Sequence, residues 1–129
     1  MKKHHGQSHN NWFKTLLSHL EIAKAFLKSY LPKSVAKRID WKALTLYKFN
    51  PEAIVGKLLG QRTADMVYTT TLDDQPGYLI LHCEHQSTLN AETYIRAEIY
   101  SRLILLEYTK MHPKQPLPAI VSVIYFHGK

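Results

Sequence analysis

The stretch DMVYTTTLDDQPGYLILHCEHQ, residues 65–86, decides the fold of this chain. Residues 66–72 and 78–83 are rich in β-branched and aromatic side chains, which favour strands. The segment DDQPG between them, residues 73–77, is typical of a turn. The stretch therefore predicts a β-hairpin whose two outer ends lie side by side.

Carboxylates stand at both outer ends of this hairpin. If the turn is centred between residues 74 and 75, Asp65 lies straight across from Glu84, with the side chains about 5 Å apart. Gln86 shares the face of Glu84 because side chains alternate along a strand. Such a pair suits Mg²⁺, which can activate water and stabilise charge on a phosphoryl oxygen. The spacing leaves a second interpretation open, in which these carboxylates are simply solvated.

Helix and strand signals also precede the hairpin. Residues 1–9 read as a disordered lead, and an apolar repeat at helical spacing predicts a helix from Asn10 or Asn11 to Leu31, ended by Pro32. Residues 44–47 predict a short strand. Residues 52–62 fit either a short helix or an irregular segment.

After the hairpin, Asn90 can cap a second helix that runs to Pro113. Residues 119–125 are almost continuously apolar, which predicts a buried central strand. The order is α-β-β-β-α-β, so the fold class is α/β (α+β), a mixed sheet flanked by helices. His82 is predicted to be a core histidine and Cys83 a small buried residue.

Charge and composition narrow the function. The chain has 129 residues and a net charge of +7. Residues 1–62 carry twelve Lys or Arg and three Asp or Glu, and a basic half of this kind attracts polyanions. The single cysteine excludes an internal disulfide and fits a cytoplasmic protein. No apolar run is long enough to span a membrane.

The site residues resemble the PD-(D/E)XK nuclease pattern, an acidic residue followed beyond a strand turn by E-x-K. Within that superfamily the chain resembles the recombination-promoting nucleases, also described as transposases. Six matches carry the resemblance in order: HNNWFK (9–14), AFL with YLP (25–32), ADMVY (64–68), EHQS (84–87), Arg96 with Tyr100, and LPAI with YFHG (117–128).

The resemblance implies a restriction-endonuclease-like αβββαβ core over residues 10–129, truncated at its C-terminal end. It implies an Mg²⁺-dependent DNA endonuclease of recombination or transposition, with Mn²⁺ as an alternative metal. The expected site residues are Asp65, Glu84 and Gln86 for catalysis, Asp65, Glu84 and the backbone carbonyl of His85 for the metal, and Arg96, Tyr100, Lys14 and Arg62 for DNA. In this set Gln86 occupies the position of the superfamily's lysine.

Alternatives remain open at this stage. Arg96 either binds phosphate or forms an ordinary helix-surface pair with Glu92 at i−4. Asn10 stands where the family has Asp, which leaves room for an inactive form that binds DNA or a full-length homologue. A homodimer and a decayed mobile-element remnant are the further possibilities.

Overall fold

The computed structural model describes residues 12, 14–48, 64–84 and 91–126, with residues 64, 65, 83, 84 and 126 described through their backbone alone. The predicted lead, the ambiguous segment 52–62 and the cap Asn90 lie outside the described residues. The elements that we number are α1 (Leu20–Tyr30), α2 (Lys33–Ala36), a 3-10 turn (Trp41–Ala43), β1 (Thr45–Leu46), β2 (Ala64–Leu72), β3 (Gln75–Glu84), α3 (Ala91–Met111) and β4 (Ala119–Phe126).

The strands form one mixed sheet in the order β1-β2-β3-β4. β1 and β2 are antiparallel, as are β2 and β3, whereas β3 and β4 are parallel. The parallel pair follows from α3, which carries the chain back across the sheet between the two strands. The predicted α+β class and mixed sheet are confirmed. β1 is only two residues long, shorter than predicted.

The hairpin turn is shorter than the sequence suggested. Asp73 and Asp74 alone form it, with φ of 50° and 66°. Positive φ at both central residues defines a two-residue turn whose twist matches that of the flanking strands. Pro76 therefore belongs to β3, where it pairs with Thr71. It is tolerated because the β4 ladder begins one residue later, at Gly77.

The first predicted helix is interrupted. Residues 14–17 are helical, the chain bends at Ser18 and His19, and α1 then begins at Leu20. The Ser18 hydroxyl donates to the Thr15 carbonyl at 2.7 Å, and this local bond competes with helix continuation. The predicted end of the helix is confirmed, since Leu31 is extended ahead of Pro32.

Two cores cover the two faces of the sheet. On one face, Leu27 of α1 packs with Tyr68, Leu79 and Leu81 of the hairpin. The Tyr68 hydroxyl donates to the Leu17 carbonyl at 2.9 Å, which ties the helical turn at residues 14–17 to this face. On the other face, α3 packs through Tyr100, Ile104 and Tyr108 onto Val67, Tyr78 and Ile80. Alternate residues of β2 and β3 thus point into different cores.

The buried central strand is β3, not β4 as predicted. Residues 77–82 of β3 are all buried, whereas Val123 is the buried residue of β4 among side chains the structure describes. β4 lies at the edge of the described sheet. An open groove separates it from α3, so Ser122 is exposed and Ile120 only half-buried. The apolar run was read correctly as a strand but wrongly as a central one.

Candidate active site

The register of the hairpin places Asp65 opposite His82, not opposite Glu84. The predicted pairing was wrong by two residues because the turn centres between Asp73 and Asp74. A shift of two keeps the side-chain alternation unchanged. Asp65 and Glu84 therefore occupy diagonal positions on the same face, where such positions are roughly 7–8 Å apart.

That face is the one covered by α3. Val67 and Ile80, which have the same parity as Asp65 and Glu84 on their strands, pack against α3. Both acidic positions also lie at the same end of the sheet, where β2 begins and β3 ends. The sequence prediction that one edge of the sheet brings together Asp65 and Glu84 thus holds for the backbone, although the pairing differs.

His82 is the buried neighbour of these positions. Its side chain is 2% exposed, as predicted for a core histidine. The ring lies edge-on to Tyr100 of α3, with the centroids 5.5 Å apart. This contact fixes the N-terminal half of α3 over the end of β3, next to the backbone position paired with Asp65. The short turn signal at Asp73 could have revealed the pairing with His82 from the sequence.

Arg96 lies one helical turn before Tyr100 and is 5% exposed. Its guanidinium is 3.4 Å from the Glu92 carboxylate, so the pair at i−4 exists as one interpretation expected. The pair is not an ordinary surface pair, because the arginine side chain is buried while that of Glu92 is 49% exposed. Both interpretations of the sequence were therefore half right.

A polar cluster fills this part of the interior. Among the described side chains, the buried polar or charged ones are Thr70, His82, Thr93 and Arg96. The last three lie at the end of β3 or in the first two turns of α3. Burying polar and charged groups is costly unless they are paired, so a concentration of them at one place calls for a purpose beyond packing. Their place is the end of the sheet that carries both acidic positions.

The remaining predicted residues are not all brought together. Lys14 belongs to the helical turn on the opposite face of the sheet, away from Arg96 and Tyr100. His85, Gln86 and Arg62 lie outside the described residues. Their predicted roles stay predictions.

The acidic positions suit a hard divalent cation. Asp65 and Glu84 supply carboxylate oxygens, the donor type that Mg²⁺ prefers, at diagonal backbone positions on one face. The buried guanidinium of Arg96 adds a fixed positive charge in the neighbouring helix turn. Acidic donors beside a fixed cation can together bind a metal ion and a phosphate group.

Comparison with known sequences now identifies the family. Residues 7–129 match the family described as "Putative transposase, YhgA-like". The chain belongs to this family. The match covers every described element, including both acidic positions and the polar cluster.

Curated relatives carry nuclease names. The chain is 25% identical over 120 residues to the recombination-promoting nuclease RpnD of Escherichia coli O157:H7, with 93% of this chain and 45% of RpnD covered. It is 28% identical over 122 residues to the recombination-promoting nuclease RpnC of Escherichia coli K12, with 94% and 39% covered. An inactive recombination-promoting nuclease-like protein, RpnE of the same strain, is 26% identical over 122 residues, again with 94% and 39% covered.

The chain spans less than half the length of these relatives. No solved structure matches it significantly. In the part of the chain that the structure describes, no helix is long and apolar enough to cross a membrane.

Proposed function

We propose that this chain is a metal-dependent DNA endonuclease domain that acts in recombination or transposition. The observation that carries the proposal is the common position of Asp65 and Glu84 at one end and on one face of the sheet, above a buried polar cluster. The nuclease names of relatives in the same family support it. The cytoplasm is the expected compartment for such an enzyme.

In this proposal Asp65, Glu84 and the backbone carbonyl of His85 hold Mg²⁺ or Mn²⁺. When bound, the ion supplies a polarised water and offsets negative charge on the phosphoryl oxygens. Arg96 binds the phosphate through its planar guanidinium, which suits bidentate contact with phosphate oxygens. Gln86 orients the attacking water, as an uncharged hydrogen-bonding side chain can.

The other residues hold the site or its substrate. His82 and Tyr100 keep α3 against β3, so Arg96 retains a fixed position relative to the acidic pair. Tyr100 and Arg96 are proposed to contact DNA close to the scissile phosphate. Lys14 and Arg62 are proposed to contact the DNA backbone farther away, where lysine and arginine act mainly through charge.

The test is nicking of supercoiled plasmid by the purified chain with Mg²⁺. Asp65→Asn should abolish nicking, and EDTA should do the same. Asp74→Asn is the matched control, because it removes the same charge from the other end of the same hairpin. Loss of nicking in Asp65→Asn with retention in Asp74→Asn supports the proposal. Equal nicking by both variants would contradict it.

A second candidate is a binding protein without cleavage, which associates with DNA, with a second copy or with a full-length homologue. The named inactive relative RpnE and the short span relative to the curated proteins favour this candidate. A folded chain that binds DNA in EDTA and never nicks plasmid would establish it. An isolated chain that fails to fold would instead indicate a mobile-element remnant.

A further inference from the structure

A set of exposed lysines surrounds Trp41 on the face of the sheet opposite α3. Residues 28–42 contain five Lys or Arg and one Asp. Four of them, Lys28, Lys33, Lys37 and Lys42, are exposed, and we call them the lysine surface. By contrast, α3 (Ala91–Met111) contains three basic and three acidic residues and is neutral.

Contacts in the structure hold these lysines on one surface. The Trp41 indole donates to the Ala36 carbonyl at 3.0 Å, which joins the 3-10 turn to the end of α2. The Lys28 ammonium lies over the Trp41 ring, 5.6 Å from its centroid. Lys37 follows Ala36 directly and Lys42 follows Trp41 directly. The four positive charges are thus neighbours on a folded surface.

Nearby acidic groups are already engaged. The Asp40 carboxylate accepts from the backbone N–H groups of Lys42 and Ala43 and caps the 3-10 turn. Asp73 pairs with Arg38 at 2.7 Å, which offsets the fifth basic residue. The four lysines therefore keep a positive surface potential that these carboxylates do not cancel.

The lysine surface is distant from the candidate active site. Ile39, within the same segment, bridges to Leu72 at the end of β2, seven residues along the strand from Asp65. At the rise of a β-strand this is about 23 Å. The segment also packs with the α1 core, on the opposite face of the sheet from Arg96. A phosphate bound at the lysine surface cannot be the one beside Asp65.

We infer that the lysine surface is a second binding surface for the phosphate backbone of duplex DNA, separate from the cleavage site. The inference rests on the proposed function for the identity of the polyanion. Duplex DNA offers a dense row of phosphates that a group of lysines can neutralise without reading sequence. The surface can hold either a remote part of the cleaved duplex or a second duplex.

The chemistry of the surface disfavours other polyanions. Val35, Ala36 and Trp41 are partly buried against the core, so few apolar side chains remain to insert into a lipid surface. The Trp41 ring is covered by Lys28 and its N–H is used by Ala36, so it does not offer a platform for stacked bases of single strands.

The experiment measures duplex binding across a salt series in EDTA, on the Asp65→Asn background, so that cleavage plays no part. The triple variant Lys33→Gln, Lys37→Gln, Lys42→Gln should flatten the slope of log K against log salt by about 2.7. The matched control Arg102→Gln, Lys110→Gln, Lys114→Gln removes the same charge elsewhere and should change the slope by less than about 1.

Two further arms make the result decisive. Lys33→Arg, Lys37→Arg, Lys42→Arg keeps the charges and should bind like the parent, which separates loss of charge from loss of folding. Equal slopes for the two glutamine triples would overturn the inference. Binding to phosphatidylserine vesicles that depends on the lysine surface, without any effect on duplex binding, would also overturn it. Because no arm requires nicking, an inactive chain leaves this test intact.

Discussion

Asp65 of β2 is paired with His82 of β3, and the His82 ring packs edge-on against Tyr100 of α3 with a centroid distance of 5.5 Å. A residue proposed to bind metal therefore shares its register position with a buried histidine. Helix and hairpin meet at this histidine, so the shape of the candidate site depends on it.

Replacement of His82 should affect stability and cleavage in separable ways. His82→Ala removes a buried ring and should lower the free energy of unfolding by about 1–3 kcal/mol. His82→Phe keeps a ring against Tyr100 and should lose less stability. Urea unfolding measures both. A His82→Phe variant that is stable but nicks plasmid poorly would show that the imidazole matters to the site beyond packing.

Arg96 allows its phosphate role to be separated from its structural one. Glu92, its partner at 3.4 Å, is half exposed, so loss of the ion pair itself should cost less than about 1 kcal/mol. Arg96→Met keeps much of the apolar stem in its buried position. We expect it to fold and to need more DNA for half-maximal nicking.

Two companion variants sharpen this result. Arg96→Lys keeps the charge without the planar fork and should recover only part of the DNA affinity. Arg102→Met, on an exposed position of the same helix, is the control and should nick like the parent. If Arg96→Met and Arg102→Met have the same DNA dependence, Arg96 has no role at the phosphate.

The sequence predicted the order of elements and the end of the sheet that carries the acidic residues. Period-two patterning and the helix stop at Pro32 are local signals, and both were sufficient. The pairing of Asp65 was missed because Gln75, Pro76 and Gly77 are turn-forming residues, yet here they begin β3. Composition overstated the turn, whereas the backbone needs only two residues with positive φ.

The position of β4 could not be predicted for a different reason. An apolar run indicates burial on both faces, but burial depends on what packs against each face. The groove beside α3 leaves Ser122 exposed, and no local pattern encodes that gap. Likewise, burial of Arg96 follows from the angle at which α3 crosses the sheet, which its own sequence does not specify.

The hairpin turn offers a stabilising substitution. Asp74 has a φ of 66°, a conformation that glycine adopts without the steric cost of a Cβ. Asp74→Gly should therefore raise the free energy of unfolding by about 0.5–1 kcal/mol. Asp73→Gly should gain less, because Asp73 also pairs with Arg38 at 2.7 Å. Thermal or urea unfolding compares the two, and a destabilised Asp74→Gly would contradict the turn assignment.

Buried tyrosines should make the fold sensitive to alkaline pH. Burial raises the pKa of the Tyr68 hydroxyl, which donates to the Leu17 carbonyl. Burial, then the hydrogen bond to Glu107, raises the pKa of Tyr47. Burial also raises the pKa of Tyr78, with the Glu107 charge as a further cause.

The sign of the effect follows from proton linkage. A tyrosine whose pKa is raised in the folded state holds its proton more tightly there than in the unfolded chain. Its contribution to stability is complete below the unfolded value of about 10 and falls as pH rises above it. We expect the free energy of unfolding to decline above about pH 10, with tyrosinate absorbance appearing together with loss of structure.

Tyr68→Phe tests this linkage most directly. It should lose about 1 kcal/mol at neutral pH, because the Leu17 carbonyl loses its donor, and it should show a shallower alkaline decline. Glu107→Gln removes the carboxylate that opposes ionisation of Tyr47 and Tyr78, so it should also reduce the decline. Urea unfolding at a series of pH values measures each slope. A parent protein whose stability stays constant through pH 11 would contradict the burial of these hydroxyls, since about one unit above the ordinary tyrosine pKa the linkage must already be visible.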